Sequence, residues 1–137
     1  MDQDLEHLRL LSIFHYVVGG IAALFSCFPF IHLAIGIALL NGALPPGPGQ
    51  QPPPEIIGWI FIALAAVMIL VGWSVTLLIL IAGRFLARRA HYVYCFVVAG
   101  IECLFMPFGT VLGIFTIIVL VRPTVKSLFQ ENAGRSP

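Results

Sequence analysis

Glu102 is the single charged residue inside three long apolar runs, Ile13 to Leu40, Ile56 to Ala82 and Tyr92 to Val121. A carboxyl near the middle of a hydrocarbon layer costs at least about 2.5–3.5 kcal/mol on insertion scales, so such groups turn toward a bundle interior or water. Two chemistries are open to it. As a proton or cation site, Glu102 would bind and release a positive charge, with His32 on another helix as its candidate partner. As a structural group, it would be a neutral carboxyl bonded to a neighbouring helix, or a group near the outer interface. Its position about one helical turn before Pro107 favours the interface.

The histidines and soft ligands come next. His15 and His91 each begin an apolar stretch and precede a tyrosine, the pattern of an interfacial aromatic belt. On two helices at similar depth they would also suit bis-histidine haem ligation or a metal ion. Cys103 and Met106 are three apart on one helix face and, with Cys27, Cys95 and His32, are ligand types that Cu(I) accepts. No C-x-x-C or Met-x-x-Met pair gathers them. The sequence therefore calls for no cofactor, with haem or copper binding kept as lesser readings. The 3 cysteines are an odd number, all within apolar runs, and read as buried small hydrophobes and not as disulfide partners. There is no Walker A loop, dinucleotide fingerprint, H-E-x-x-H or glycosidase-like carboxylate pair, so no enzyme activity is expected.

The elements that must position these residues follow from hydropathy. The 137-residue chain is 60% hydrophobic and 9% charged, against about 25% charged in ordinary globular chains. Its mean hydropathy is +1.04. Small soluble domains cannot bury that much apolar surface, whereas about 20 apolar residues in a helix cross the roughly 30 Å core of a bilayer. The chain reads as all-α and membrane-integral, with the lipid bilayer as its first partner. A net charge of +1 leaves no footprint for nucleic acid. The acidic start (Asp2, Asp4, Glu6) differs from the basic head of a cleavable signal, so the first run is expected to be retained.

One helix is expected over about 10–40, kinked at Pro29, and a second over 56–84. The third run is broken by Pro107 and Gly109, giving helices at 90–106 and 109–122 joined as a tight hairpin, with Thr110 available as a cap. Three long kinked helices are the alternative. Arg84, Arg88 and Arg89 belong on the cytoplasmic side, as do Arg122, Lys126 and Arg135 if the chain turns back at Pro107. Four spans with both termini cytoplasmic satisfy both clusters. The Pro-rich loop 41–55 lacks Lys and Arg and should be an extended spacer. Residues 123–130 should form a short interfacial helix, with Val125, Leu128 and Phe129 toward lipid.

Gly19 and Gly20, and the pair Gly109-x-x-x-Gly113, supply small faces for close helix packing. They support a bundle that forms a homo-oligomer or joins a membrane complex. The segment Pro107-Phe108-Gly109-Thr110 to Leu120-x-Arg122-Pro123, together with His15-Tyr16 and Phe25 to His32, resembles a group of small four-helix bacterial inner-membrane proteins. That resemblance implies the same membrane and the hairpin. It implies no activity, since none is established for the group.

Overall fold

The computed structural model describes residues 2–44, 46–49, 51–105 and 108–134. Among these there are six helices and no strand: α1 (Asp2–Ser26), α2 (Pro29–Leu40), α3 (Glu55–Arg88), α4 (Tyr92–Glu102), α5 (Phe108–Leu120) and α6 (Pro123–Ala133). Two helical stretches, Gln3–Leu40 and Glu55–Arg88, are long and apolar enough to cross a membrane. A third qualifies only if α5 and α6, bent by 79°, count as one broken span. At 11 residues, α4 is about 16 Å long, about half the hydrocarbon thickness.

The breaks have local causes. Pro29 opens α2 at its first turn, and before it the chain tightens into i→i−3 bonds, Cys27 N to Leu24 O at 3.1 Å and Phe28 N to Phe25 O at 3.0 Å. The expected kink is thus a short interruption of the helix. Arg122, preceding Pro123, is extended (ψ 131°), since a residue before proline disfavours the helical region. The end of α3 carries no glycine; Arg89 takes the left-handed conformation (φ 52°) instead. Ala90 N then bonds Phe85 O at 3.0 Å, closing the helix in the Schellman manner.

The chain divides into two compact units, Met1–Ile21 with Thr76–Pro137, and Ala22–Val75. In the first, buried positions recur at helical spacing: Leu8, Leu11, Ser12 and His15 on α1, Cys95, Val98, Ala99 and Glu102 on α4. On α5 the buried face runs through Gly109, Leu112, Gly113, Thr116 and Val119. A Cβ on Gly109 would meet Glu102 O at 2.5 Å, and one on Gly113 would collide with Ala99 O, so α4 and α5 lie antiparallel with their backbones nearly touching. Thr110 Oγ1 donates to Cys103 O at 2.9 Å, so this side chain serves the end of α4 and not the start of α5.

Helix α6 closes the unit from one end. Val125 and Phe129 are buried in the core with Leu8, Leu86 and Leu120, whereas the sequence placed them toward lipid. Outside that contact, Thr124 Oγ1 and Arg122 Nη1 donate to the Asp4 carboxylate at 2.8 and 3.3 Å. Asn132 Nδ2 donates to Arg88 O at 2.7 Å.

The second unit is α2 against the first part of α3. Its contact is made by small residues: a Cβ on Gly36 would lie 3.0 Å from Gly58 O, and one on Gly58 would lie 3.2 Å from Gly36 O. A Cβ on Gly72 would meet Ser26 Oγ at 2.6 Å. The large side chains Leu24, Phe25 and Leu70 are 75%, 74% and 69% exposed.

Candidate functional site

Helix α1 docks on the C-terminal part of α3 at Gly83. Ser12 Oγ donates to Gly83 O at 2.8 Å, and a Cβ on Gly83 would stand 3.0 Å from the Cβ of His15. One turn further, a Cβ on Gly19 would meet Leu80 Cδ2 at 2.6 Å. These contacts set the rotation of α1 and turn His15 inward, where it is fully buried. Glu102, last residue of α4 and 1% exposed, is held by its backbone against Gly109. Glycines thus stand directly behind both residues.

The two side chains meet at 3.2 Å, His15 Nε2 to Glu102 Oε1. The opposite ring nitrogen, Nδ1, donates to Leu11 O at 2.8 Å within α1. A carbonyl only accepts, so Nδ1 carries a hydrogen and Nε2 is the face that exchanges with the carboxyl. A charge-assisted bond is usually about 2.7–2.9 Å. The longer approach fits the observation that Nε2, Oε1 and Oε2 have no well-aligned hydrogen-bond partner among the described residues. Two buried hydroxyls of the same unit are committed elsewhere, Ser12 to Gly83 O and Thr116 Oγ1 to Leu112 O, both at 2.8 Å. Cys95 Sγ points to Ala82 O and Ala90 O, both at 3.9 Å.

The other candidates are dispersed. His32 belongs to the second unit, its ring 6.2 Å from Phe61 and 5.6 Å from Phe28, and Glu102 has His15 beside it. His91 is exposed, in a left-handed turn (φ 52°), with its ring 4.5 Å from Phe85. Cys103 lies at the end of α4 beside Gly113, where a Cβ would meet its Sγ at 2.7 Å. Met106 and Pro107 fall outside the described residues. Of the glycines expected to pack, Gly19, Gly109 and Gly113 do so, while a Cβ on Gly20 would meet nothing within 4 Å.

To ligate haem through Nε2, His15 would have to give up its contact with Glu102, while Nδ1 could stay on Leu11 O. Among the described residues, no group of three or more His, Cys, Asp or Glu side chains is placed to hold a metal ion. Ser12 and Gly83, which orient His15, escape a reading of the sequence for chemistry; their signal is small size at helical spacing on the face that carries the histidine. A shallow groove of about 380 Å³, lined by Leu5, Leu8, Arg9, Ser12, Tyr16 and Arg89 among others, opens within one turn of His15.

No family model, curated protein or solved structure matches this chain.

Proposed function

We propose that this is a non-enzymatic, multi-pass protein of the bacterial inner membrane that self-associates or seats as an accessory subunit in a membrane complex. Four apolar segments, two of them long enough to cross and α4 and α5 dipping in and back as a short hairpin, would keep both termini cytoplasmic and put every arginine cluster on that side. The observation that carries the reading is the apolar surface left uncovered, above all Leu104, Leu24, Phe25, Val93 and Leu70. Lipid satisfies such a surface, and so does another helix. Helix association in lipid relies on close backbone approach, for which Gly20 and Gly100 are open, each with nothing within 4 Å of an added Cβ. Native mass spectrometry from lipid nanodiscs tests this. An oligomer or a co-purified subunit is expected; a lone monomer, repeated in mild detergent, overturns it.

A second reading, a small proton or cation transporter working through Glu102, is favoured by one observation. The carboxyl is buried beside His15 with neither oxygen in a well-aligned hydrogen bond. Proteoliposomes should then show a flux that Glu102→Gln abolishes, and equal flux in both proteins removes this reading.

A further inference from the structure

We propose that His15 and Glu102 form a one-proton binding site, the proton shared between Nε2 and Oε1 so that the buried pair carries no net charge. The argument is a count of hydrogens. Nδ1 keeps its own, because it donates to the Leu11 carbonyl. The contact between Nε2 and Oε1 at 3.2 Å is then occupied in one of two ways. Either imidazolium N–H faces a carboxylate, or a neutral imidazole nitrogen accepts from a carboxylic O–H. Both contain one exchangeable proton and sum to zero charge.

The alternatives are disfavoured by burial. With no shared proton the site holds a lone carboxylate; with two it holds a lone imidazolium. Both side chains have zero exposure, and an uncompensated charge in such surroundings is costly. Among the described residues, the neighbouring charged groups turn away from the pair. On α3, Arg84 follows Gly83 but is exposed. On α4, Cys95 is directed at backbone carbonyls, Tyr92 and Tyr94 donate to Leu120 O and Leu78 O, and Cys103, next after Glu102, has its Sγ beside Gly113. On α1, Tyr16 is exposed, and α5 carries no titratable residue. The pair therefore joins α1 to α4 by a link that is free of net charge only while it holds one proton. The groove beside Ser12 and Tyr16 brings the outside within a turn of His15. The burial belongs to one unit of the fold, so the site stands whether the protein assembles or transports.

The test is a pH titration of the protein in lipid nanodiscs, with ¹⁵N-labelled histidine read by NMR and the carboxyl stretch read by infrared. Failure to insert shows as protein absent from the discs, before any titration, and so separates the membrane reading from this one. The His15 Nε2 signal and the Glu102 carboxyl band should move together at common midpoints, as coupled groups do, with Nδ1 protonated throughout. Separate midpoints, or loss of the Nδ1 hydrogen before that of Nε2, would overturn the proposal. Glu102→Gln should abolish the carboxyl band and displace the His15 midpoint; an unmoved midpoint counts against the site. If that variant does not fold, the wild-type midpoints decide alone. The double variant His15→Gln with Glu102→Gln keeps polarity without titration. Its unfolding midpoint should stay flat across the range in which the wild type falls at both ends, and matching pH profiles would sink the idea.

Discussion

The two units bury different things. The unit built from both chain ends has a core of large side chains, Leu8, Leu86, Leu120, Val125 and Phe129, and encloses His15 and Glu102 within it. The unit spanning residues 22–75 buries mostly small residues, Ser26, Pro29, Gly36, Gly58 and Ala65, and leaves many of its large side chains outward, Leu24, Phe25 and Leu70 among them. The first resembles a soluble domain in having an inside that side chains fill. The second is two helices that approach closely at their glycines, with much of its bulk turned outward. A buried ionisable pair needs the first kind of interior, because only there can other elements shield it from every direction. Glycine does separate work in each: in the first unit it presses backbones against the pair, and in the second it lets α2 and α3 approach at Gly36 and Gly58.

The largest effect should come from Gly113→Leu, which drives a side chain into the Ala99 carbonyl where α5 meets α4. Overpacked cores lose about 1–3 kcal/mol and occasionally more, and a rigid backbone neighbour puts this case at the upper end. Folded yield and SDS unfolding measure it; a stable variant would show that α4 and α5 can slide. Next comes Gly36→Val, whose added Cβ would sit 2.8 Å from Ile62 Cγ1 and 3.0 Å from Gly58 O. A loss of about 1–3 kcal/mol is expected. Trp59 and Trp73 both lie in that unit, so tryptophan emission reads it selectively. Unchanged emission would mean that the glycine contact is dispensable. Thr116→Val should cost less, about 0.5–1.5 kcal/mol, because its hydroxyl only returns a hydrogen bond to Leu112 O inside its own helix. A larger loss would point to a role for that hydroxyl beyond α5.

The sequence made the helical, membrane-suited character plain because hydropathy is summed over many residues and tolerates local error. Helix ends were less legible. The stop at Arg88 and Arg89 is a left-handed turn without glycine, so neither residue announces it. The inward faces were hidden for a different reason. In a chain apolar all round, hydrophobic periodicity cannot distinguish lipid from core, and what marks the inside is small size or polarity. Ser12, His15 and Gly19 carry that mark on α1, as do Gly109, Gly113 and Thr116 on α5. Glu102 stood out at once by charge. Its neighbour did not, because choosing His15 over His32 depends on the rotation of α1, which Gly83 and Ser12 fix through a tertiary contact.

The smallest effect on folding is expected where the same residue type is idle. Gly20 and Gly100 have nothing within 4 Å of an added Cβ and lie on exposed faces. Replacing either by leucine should leave the unfolding midpoint unchanged or slightly raised, since glycine within a helix costs about 0.5–1 kcal/mol relative to alanine. The informative readout is assembly. If another helix closes on these faces in the membrane, leucine holds it off, and the oligomer or complex seen by native mass spectrometry is lost while the monomer keeps its stability. If assembly survives both substitutions, these faces meet only lipid, and any association uses other exposed apolar surface, such as that of Leu104, Val93 or Leu24. Each variant thus separates a glycine that closes the fold from one available for a second molecule.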